Sequence, residues 1–483
     1  MLYDGLTSFQ RVGNPDGTKL VPDLATSLPA PTDDARAYVF HLRPGIRYSN
    51  GQLVRPADFR YGIERVFALN VGKRFYDGIR GAARCVRTPR RCDLSGGIVT
   101  DPRARTVTFH LAAPDPDFLR KLTLPFAAPV PVETPKRETI VPTTGPYYIA
   151  RYAVKSRLEL RRNPHFREWS KAAKPDGYPD RISWTFRSSA YKEVRAVEQG
   201  REDVAFDGVP RELAREVEVQ YPRQVHPFPL WGVTYLWLNT RVPPFRDVRV
   251  RRAVNYAADR EAALPASAQD LGAQPTCQIL PPNFPSFRRY CPYTRNPDRN
   301  GFWNAPDLEQ ARRLIAASGT KGAVVTIWVP GNQTSEGPIA AALMRSLGYR
   351  TRLKSVDNLL YYSSDTGPGN PGSQMQAGLN SWYADYPAPS NYITTLFSCA
   401  STANYSHFCD HEIEARIRRA LALPTSDPYA ANQLWAQIDH EIVDHAPVVP
   451  LITHKRLAFV SKRVGNYEYI PHIGVLLDQL WVK

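Results

Sequence analysis

The stretch NSWYADYPAPSNYITTLFSC, residues 380–399, sets one acid, Asp385, among Trp382, Tyr383, Tyr386 and Tyr392. A carboxylate taken out of water costs free energy unless something answers its charge. Two kinds of partner are open. One is internal, with Asp385 capping the turn before the PAPSN segment or pairing with one of the chain's many arginines. The other is a ligand that brings a cation with it.

Other stretches approach the spacing that catalysis needs and miss it. A phosphate loop requires G-x4-G-K-[ST]; in GNPDGTK three residues separate Gly13 from Gly17 and the lysine follows Thr18, so the segment reads as a plain turn. HEIVDH resembles a zinc-protease signature, but His440 and His445 stand five apart. On a helix that turns them about 140° from each other, where shared ligation needs i, i+4 spacing. A solvated helix face explains them. No G-x-S-x-G elbow is present. A hydrolase on an α/β scaffold is therefore one function class without positive support, and no catalytic residue, metal ligand or cofactor is expected.

The chain of 483 residues is 43% hydrophobic, enough to build several cores and too much for a disordered protein. No run of about 20 apolar residues encodes a transmembrane helix, and the first residues carry no signal-peptide pattern. The formal net charge is +16. The basic residues are scattered, with short groups at VRTPRRC and FRDVRVRRAV and no nucleic-acid motif, so nucleic acid is not an expected partner. A basic surface near anionic envelope polymers or lipid heads is the simpler reading. Six cysteines form three sequence-local pairs, Cys85 and Cys92, Cys277 and Cys291, Cys399 and Cys409. Sequence alone does not choose the connectivity, but each local pair brackets a turn-rich loop, and an even count in such loops points to an oxidising, extracytoplasmic compartment.

These residues must be positioned by a mixed α and β chain. Alternating apolar residues predict strands in AYVFHLRPGIRYS and RTVTFHLAAP. Helical spacing of Phe59, Ile63, Val66 and Phe67 predicts a helix over RPADFRYGIERVFAL, opened by Pro56 and Asp58. A hairpin is expected over YYIARYAVKSRLELRRNP. A helix capped by Asp247 is expected over residues 245–264, and another over residues 304–319, ended by Gly319. AVVTIWVPG should be a strand, and DHEIEARIRRALAL and ANQLWAQIDHEIVDHAP two more helices. Trp231, Tyr235 and Trp237 alternate as on a strand, either lining a cleft or packing a core.

Several segments together resemble the extracytoplasmic solute-binding proteins of ABC importers, family 5, the oligopeptide- and dipeptide-binding branch. The residues that carry this are LVPDLATSLPAPTDDARAYVFHLRPGIRYSNGQLVRPADFRYGIERV, then TTGPYYIARY, LRRNPHF, AVEQGREDVAF, LNTRVPPFRDVRVRRAVNYAADRE, SWYADYPAPSNYITTLFSC and APVVPLITHKR, in the family's order across nearly the whole chain. The resemblance implies a periplasmic-binding-protein-like α/β fold of type II, with two hinge-linked lobes and an extra α/β domain. Residues 1–143 would be the extra domain, 144–236 with 455–483 one lobe, and 237–454 the other, with crossings at YLWLNT and LITHKR. It implies an extracytoplasmic binding protein, not an enzyme, that takes a peptide or similar small solute by hinge closure. It would act as a monomer with ABC permease subunits.

The same resemblance implies that Asp385 pairs with the α-amine of a bound peptide, with Trp382, Tyr383, Ala384, Tyr386 and Tyr235 around the ligand. A family strand and helix, and a signal or lipid anchor, would be expected before Met1. A sensing module attached to a regulator is the other reading of the same fold. No arginine precedes Trp382 in QMQAGLNSW, so recognition of a ligand carboxylate is not implied.

Overall fold

Local sequence rules set most element boundaries in the computed structural model, which describes residues 1–483 except 14, 188, 265–271, 283, 364 and 424–427. The described residues divide into two units.

The first unit comprises Met1–Lys192, Glu198–Asp203 and Val460–Lys483. Strands β1 (Thr7–Phe9) and β2 (Leu20–Pro22) pair antiparallel. Between them, Pro15–Thr18 of the Gly13–Lys19 turn form one 3-10 turn; residue 14 lies outside the described residues. Strand β3 (Ala37–His41) is followed by helices α1 (Pro56–Leu69) and α2 (Ala82–Arg87), then β4 (Ile98–Asp101) and β5 (Thr106–His110), in a sheet of order β3-β5-β4. The expected alternation holds: Val107 and Phe109 are buried and the residues beside them less so. Helix α1 starts as its sequence dictates, with Pro56 at the first position and the Asp58 carboxylate accepting the Arg55 N–H at 2.9 Å. It ends at Asn70 in the left-handed conformation. After α3 (Phe118–Lys121), strands β6 (Tyr147–Ala153), β7 (Arg157–Arg162) and β8 (Arg181–Thr185) form an antiparallel meander that includes the expected hairpin.

Helix α4 (Ala190–Glu198) lies where the chain changes unit. The second unit comprises Glu193–Val197 and Val204–Phe459. Its elements are β9 (Val204–Ala205), α5 (Arg211–Gln220), β10 (Val225–Leu238), α6 (Val248–Ala257), β11 (Gln274–Pro275), α7 (Leu308–Ser318), β12 (Val324–Pro330), α8 (Gly337–Ser346), β13 (Arg350–Val356), α9 (Asn358–Tyr361), β14 (Ala377–Tyr383), α10 (Pro389–Phe397), α11 (His411–Ala422), α12 (Pro428–His445) and β15 (Val448–Val460). Among the described residues the strands form a seven-stranded sheet of order β11-β15-β10-β14-β12-β13, with β9 paired to β15. Strand β14 runs antiparallel to β10 and parallel to β12, and β12 parallel to β13.

From Trp231 onward both faces of β10 are buried, against different partners. Trp231, Val233, Tyr235 and Trp237 pack with Tyr392, Ile393 and Leu396 of α10 and Ile438 and Ile442 of α12. Leu236 and Leu238 face an aliphatic core with Val250 and Val254 of α6, Ile315 of α7 and Met344 of α8. The alternating aromatics are thus core residues, and their polar ends are satisfied. Trp237 Nε1 donates to Tyr361 Oη at 2.8 Å, and that hydroxyl donates to the Leu379 carbonyl at 2.6 Å.

Helix α7 ends at Gly319 as expected, and the structure adds N-caps at Asp307 for α7 and Asp410 for α11. Helix α6 is capped by Asp247, whose carboxylate accepts the Arg249 N–H at 2.8 Å. The expected continuation of α6 to residue 264 is corrected: the helix stops at Ala257, and Ala258 is extended. Arg260 is fully buried and turns inward, donating from Nε to the carbonyls of Thr276 and Pro450 at 2.8 and 2.9 Å. Those acceptors lie far away in sequence and outweigh the helix propensity of AADREAAL. No helix of the described residues is long and apolar enough to cross a membrane.

Candidate functional site

Strand β14 delivers the opening stretch to the carboxyl end of the second unit's sheet. In open α/β sheets, ligands bind outside the carboxyl ends of strands. After Tyr383 the Ala384 N–H still reaches the Trp231 carbonyl at 2.9 Å, so the β10–β14 ladder continues one rung before the chain turns. Pro389 then opens α10, and the extended N-cap Ala388 has no side chain able to cap. Asn391 on the first turn of α10 does the holding. It is 2% exposed. Its Oδ1 accepts the Asp385 N–H at 3.0 Å and its Nδ2 donates to Asp385 Oδ2 at 3.1 Å. Trp382 Nε1 points at the same Oδ1 from 3.4 Å. The turn from Trp382 to Asp385 is therefore set by one buried amide.

Asp385 is half-buried, and so are Trp382 and Ala384, while Tyr386 is buried. Tyr383 is 44% exposed and lies on the other face of the sheet, beside His454, with ring centroids 5.1 Å apart. Tyr235 belongs to the core: it shares the face of Trp382, pairs across the ladder with Asn380, and its hydroxyl accepts from Asn380 Nδ2 at 2.8 Å. Burial holds its phenol ionisation far above the usual range. The structure thus gathers Trp382, Ala384, Asp385 and Tyr386 into one turn, puts Tyr383 on the opposite face and encloses Tyr235.

Sequence reading missed a polar group on the face of Tyr383. Ser381 Oγ lies 2.6 Å from Thr234 Oγ1, which lies 2.9 Å from His454 Nε2. Gln333, in the turn after β12, donates from Nε2 to Ser381 Oγ at 2.5 Å. For Asn391 there was a signal, an amide six residues after the acid in a Pro-x-Pro turn. For Gln333 there was none, since GNQTSEG reads as a solvated loop.

The cysteines are paired as neighbours, with Cα separations of 4.4 Å for Cys85–Cys92, 5.2 Å for Cys277–Cys291 and 4.7 Å for Cys399–Cys409. The last pair joins the end of α10 to the start of α11. Cys399, Cys409 and His411 come close enough to suggest a metal site, but the two sulfurs are joined to each other. His440 and His445 both lie on α12, where His440 stacks on Tyr290 at 4.4 Å.

The family model described as bacterial extracellular solute-binding proteins, family 5 Middle, matches residues 19–404. The chain belongs to that family. It is 25% identical to the periplasmic oligopeptide-binding protein OppA of Escherichia coli (strain K12), over 96% of this chain and 84% of that protein. It is 23% identical to the dipeptide-binding protein of the same organism, over 97% and 86%. Among solved structures, the clavulanic acid biosynthesis oligopeptide binding protein 2 superposes with a TM-score of 0.85 at 24% identity, covering 100% of this chain and 90% of that one. OppA of Haemophilus influenzae, in complex with RPPGFSPFR, superposes with a TM-score of 0.71 at 18% identity, over 100% and 93%.

Proposed function

We propose that this protein is the extracytoplasmic solute-binding component of an ABC importer, that it captures peptides without transforming them, and that Asp385 receives the peptide's α-ammonium. The observation that carries the reading is the turn itself: an acid at the carboxyl end of β14, half-accessible, fixed by Asn391, with Trp382 held to the same amide. An ammonium and a carboxylate closed off from water form a charge-assisted bond, and aromatic walls strengthen it by excluding solvent. The peptide backbone would be held by strand-like pairing, which is indifferent to side chains. Membership of family 5 and the similarity to oligopeptide- and dipeptide-binding proteins support the peptide-import part of this reading. The remaining parts of the proposal are a three-part division at residues 143, 236 and 454, closure about crossings at residues 235–240 and 451–456, attachment to the membrane by a lipid anchor, and action as a monomer with permease subunits.

Calorimetric titration of one peptide in free and N-acetylated forms tests it. Asp385→Asn should weaken the free form by about 2–5 kcal/mol, roughly 30-fold to several thousand-fold. The acetylated form, which has no charge to lose, should be almost unaffected. Equal losses for both forms would return Asp385 to a purely turn-forming role. Absence of binding by the unmutated protein would remove the peptide reading altogether.

A further inference from the structure

The polar group on the Tyr383 face is a chain of hydrogen bonds with an open end. Its members are Gln333, Ser381, Thr234 and His454, and three of them are nearly enclosed: Thr234 is 2% exposed, His454 5% and Gln333 5%. Gln333 Nε2 donates to Ser381 Oγ at 2.5 Å, and the two hydroxyls and the imidazole follow in sequence. Gln333 Oε1, at the far end, is buried and has no hydrogen-bond partner among the described residues. Folding takes that oxygen out of bulk water and no described protein atom answers it, so the position calls for a reason.

Its place supplies one. Gln333 follows β12 at its carboxyl end, and β12 runs parallel to β14, so the orphan oxygen and Asp385 lie at the same end of one sheet. Tyr383 walls this face, lying directly on the backbone of β10: a Cβ added at Gly232 would stand 2.3 Å from the ring. A half-exposed aromatic on the face of Ser381, and an acceptor fixed by that serine, suit the amide N–H of an extended chain. We infer that Gln333 is a solute-contact residue whose Oε1 accepts a hydrogen bond from one backbone N–H of the bound peptide, and that the Ser381–Thr234–His454 chain is what holds the amide in that orientation. The inference rests on the peptide reading above. An ordered water at Oε1 would satisfy the oxygen equally well, and the test is chosen to separate the two.

The test is a set of peptides in which one backbone amide at a time is replaced by an ester, which removes a single N–H. Each is titrated against the unmutated protein and against Gln333→Met. At one position the ester should weaken binding to the unmutated protein about tenfold and leave binding to the methionine variant unchanged, while that variant binds the parent peptide about tenfold less well. Equal ester costs in both proteins at every position would overturn the inference and assign the oxygen to water. Should Gln333→Met fail to fold, Gln333→Glu keeps an acceptor and should retain the ester discrimination; its loss there would also overturn the inference. If the parent peptide does not bind the unmutated protein, the proposed function falls and takes this inference with it, a result distinct from equal ester costs.

Discussion

Two aspartates of the second unit, Asp439 and Asp385, are both gripped by a carboxamide, yet their surroundings differ. Asp439 on α12 is 1% exposed, and its Oδ2 accepts from Gln278 Nε2 at 2.7 Å. Gln278 also donates to the Arg288 carbonyl at 2.9 Å and accepts the Tyr290 N–H at 2.6 Å. The acid is thereby tied into the loop that Cys277–Cys291 closes. Burial pushes its pKa up to about 7. Asp385 receives a comparable grip from Asn391 but stands half-buried at the end of a strand. The difference teaches that a carboxamide fixes where an acid points, while enclosure decides whether its charge can be met from outside. Asp439 is an enclosed acid that favours its proton; Asp385 keeps an accessible side, which the proposed role requires.

The largest effect is expected at Asp439. Its folded pKa of about 7 lies above the unfolded value, so its contribution to stability is fully present below about pH 4 and is lost as pH rises through 7. Relative to Asp439→Asn, the unmutated protein should lose up to about 4 kcal/mol of unfolding free energy between those limits. Urea unfolding of both proteins at several pH values measures this, and a difference that stays flat with pH would mean that Asp439 is not enclosed. Next in size is the loop around it. Replacing Cys277 and Cys291 together by alanine should cost about 3 kcal/mol for a loop of this length. It should also shrink the pH dependence assigned to Asp439, because the loop that shields the acid is loosened. A smaller effect separates the two carboxamides. Asn391→Ala should lower stability by about 1–2 kcal/mol and weaken peptide binding along with it, whereas Gln278→Ala should lower stability without changing affinity. If both variants bound peptide normally, the turn around Asp385 would not be a binding element.

Much of this arrangement is written locally in the chain. Pro56 with Asp58, Asp247, Asp307 with Gly319, and Asp410 all mark helix ends by short-range chemistry, and each boundary stands where the residue types put it. The end of α6 is not written that way, because the carbonyls that draw Arg260 inward belong to residues 276 and 450. The WYADY turn is legible as a turn holding an acid. That Trp382 and Tyr383 fall on opposite faces follows from strand periodicity, but what covers each face depends on the strand order. Gln333 is the extreme case: a glutamine in a glycine-rich loop is ordinarily solvated, and only the adjacency of β12 and β14 brings it against Ser381. Tyr235 was expected both at the ligand and in the core, and no local feature could decide between them, since either face of a strand buried on both sides reads alike.

The double burial of β10 bears on length as well as on composition. Between Trp231 and Leu238, odd-numbered residues belong to the aromatic core and even-numbered ones face the other side, so inserting or deleting one residue would send indoles into the space made for leucine and methionine. The ladder to β14 keeps strict step from Gly232 to Leu238, whereas the ladder to β15 shifts register at two places, between Pro229 and Val233 and between Thr234 and Tyr235. A change of length can therefore be absorbed on the β15 side and not on the side that carries Asp385. Substitutions along β10 can be graded by size, but its residue count from Gly232 onward acts as a fixed ruler, and the distance it measures is the one that places the WYADY turn.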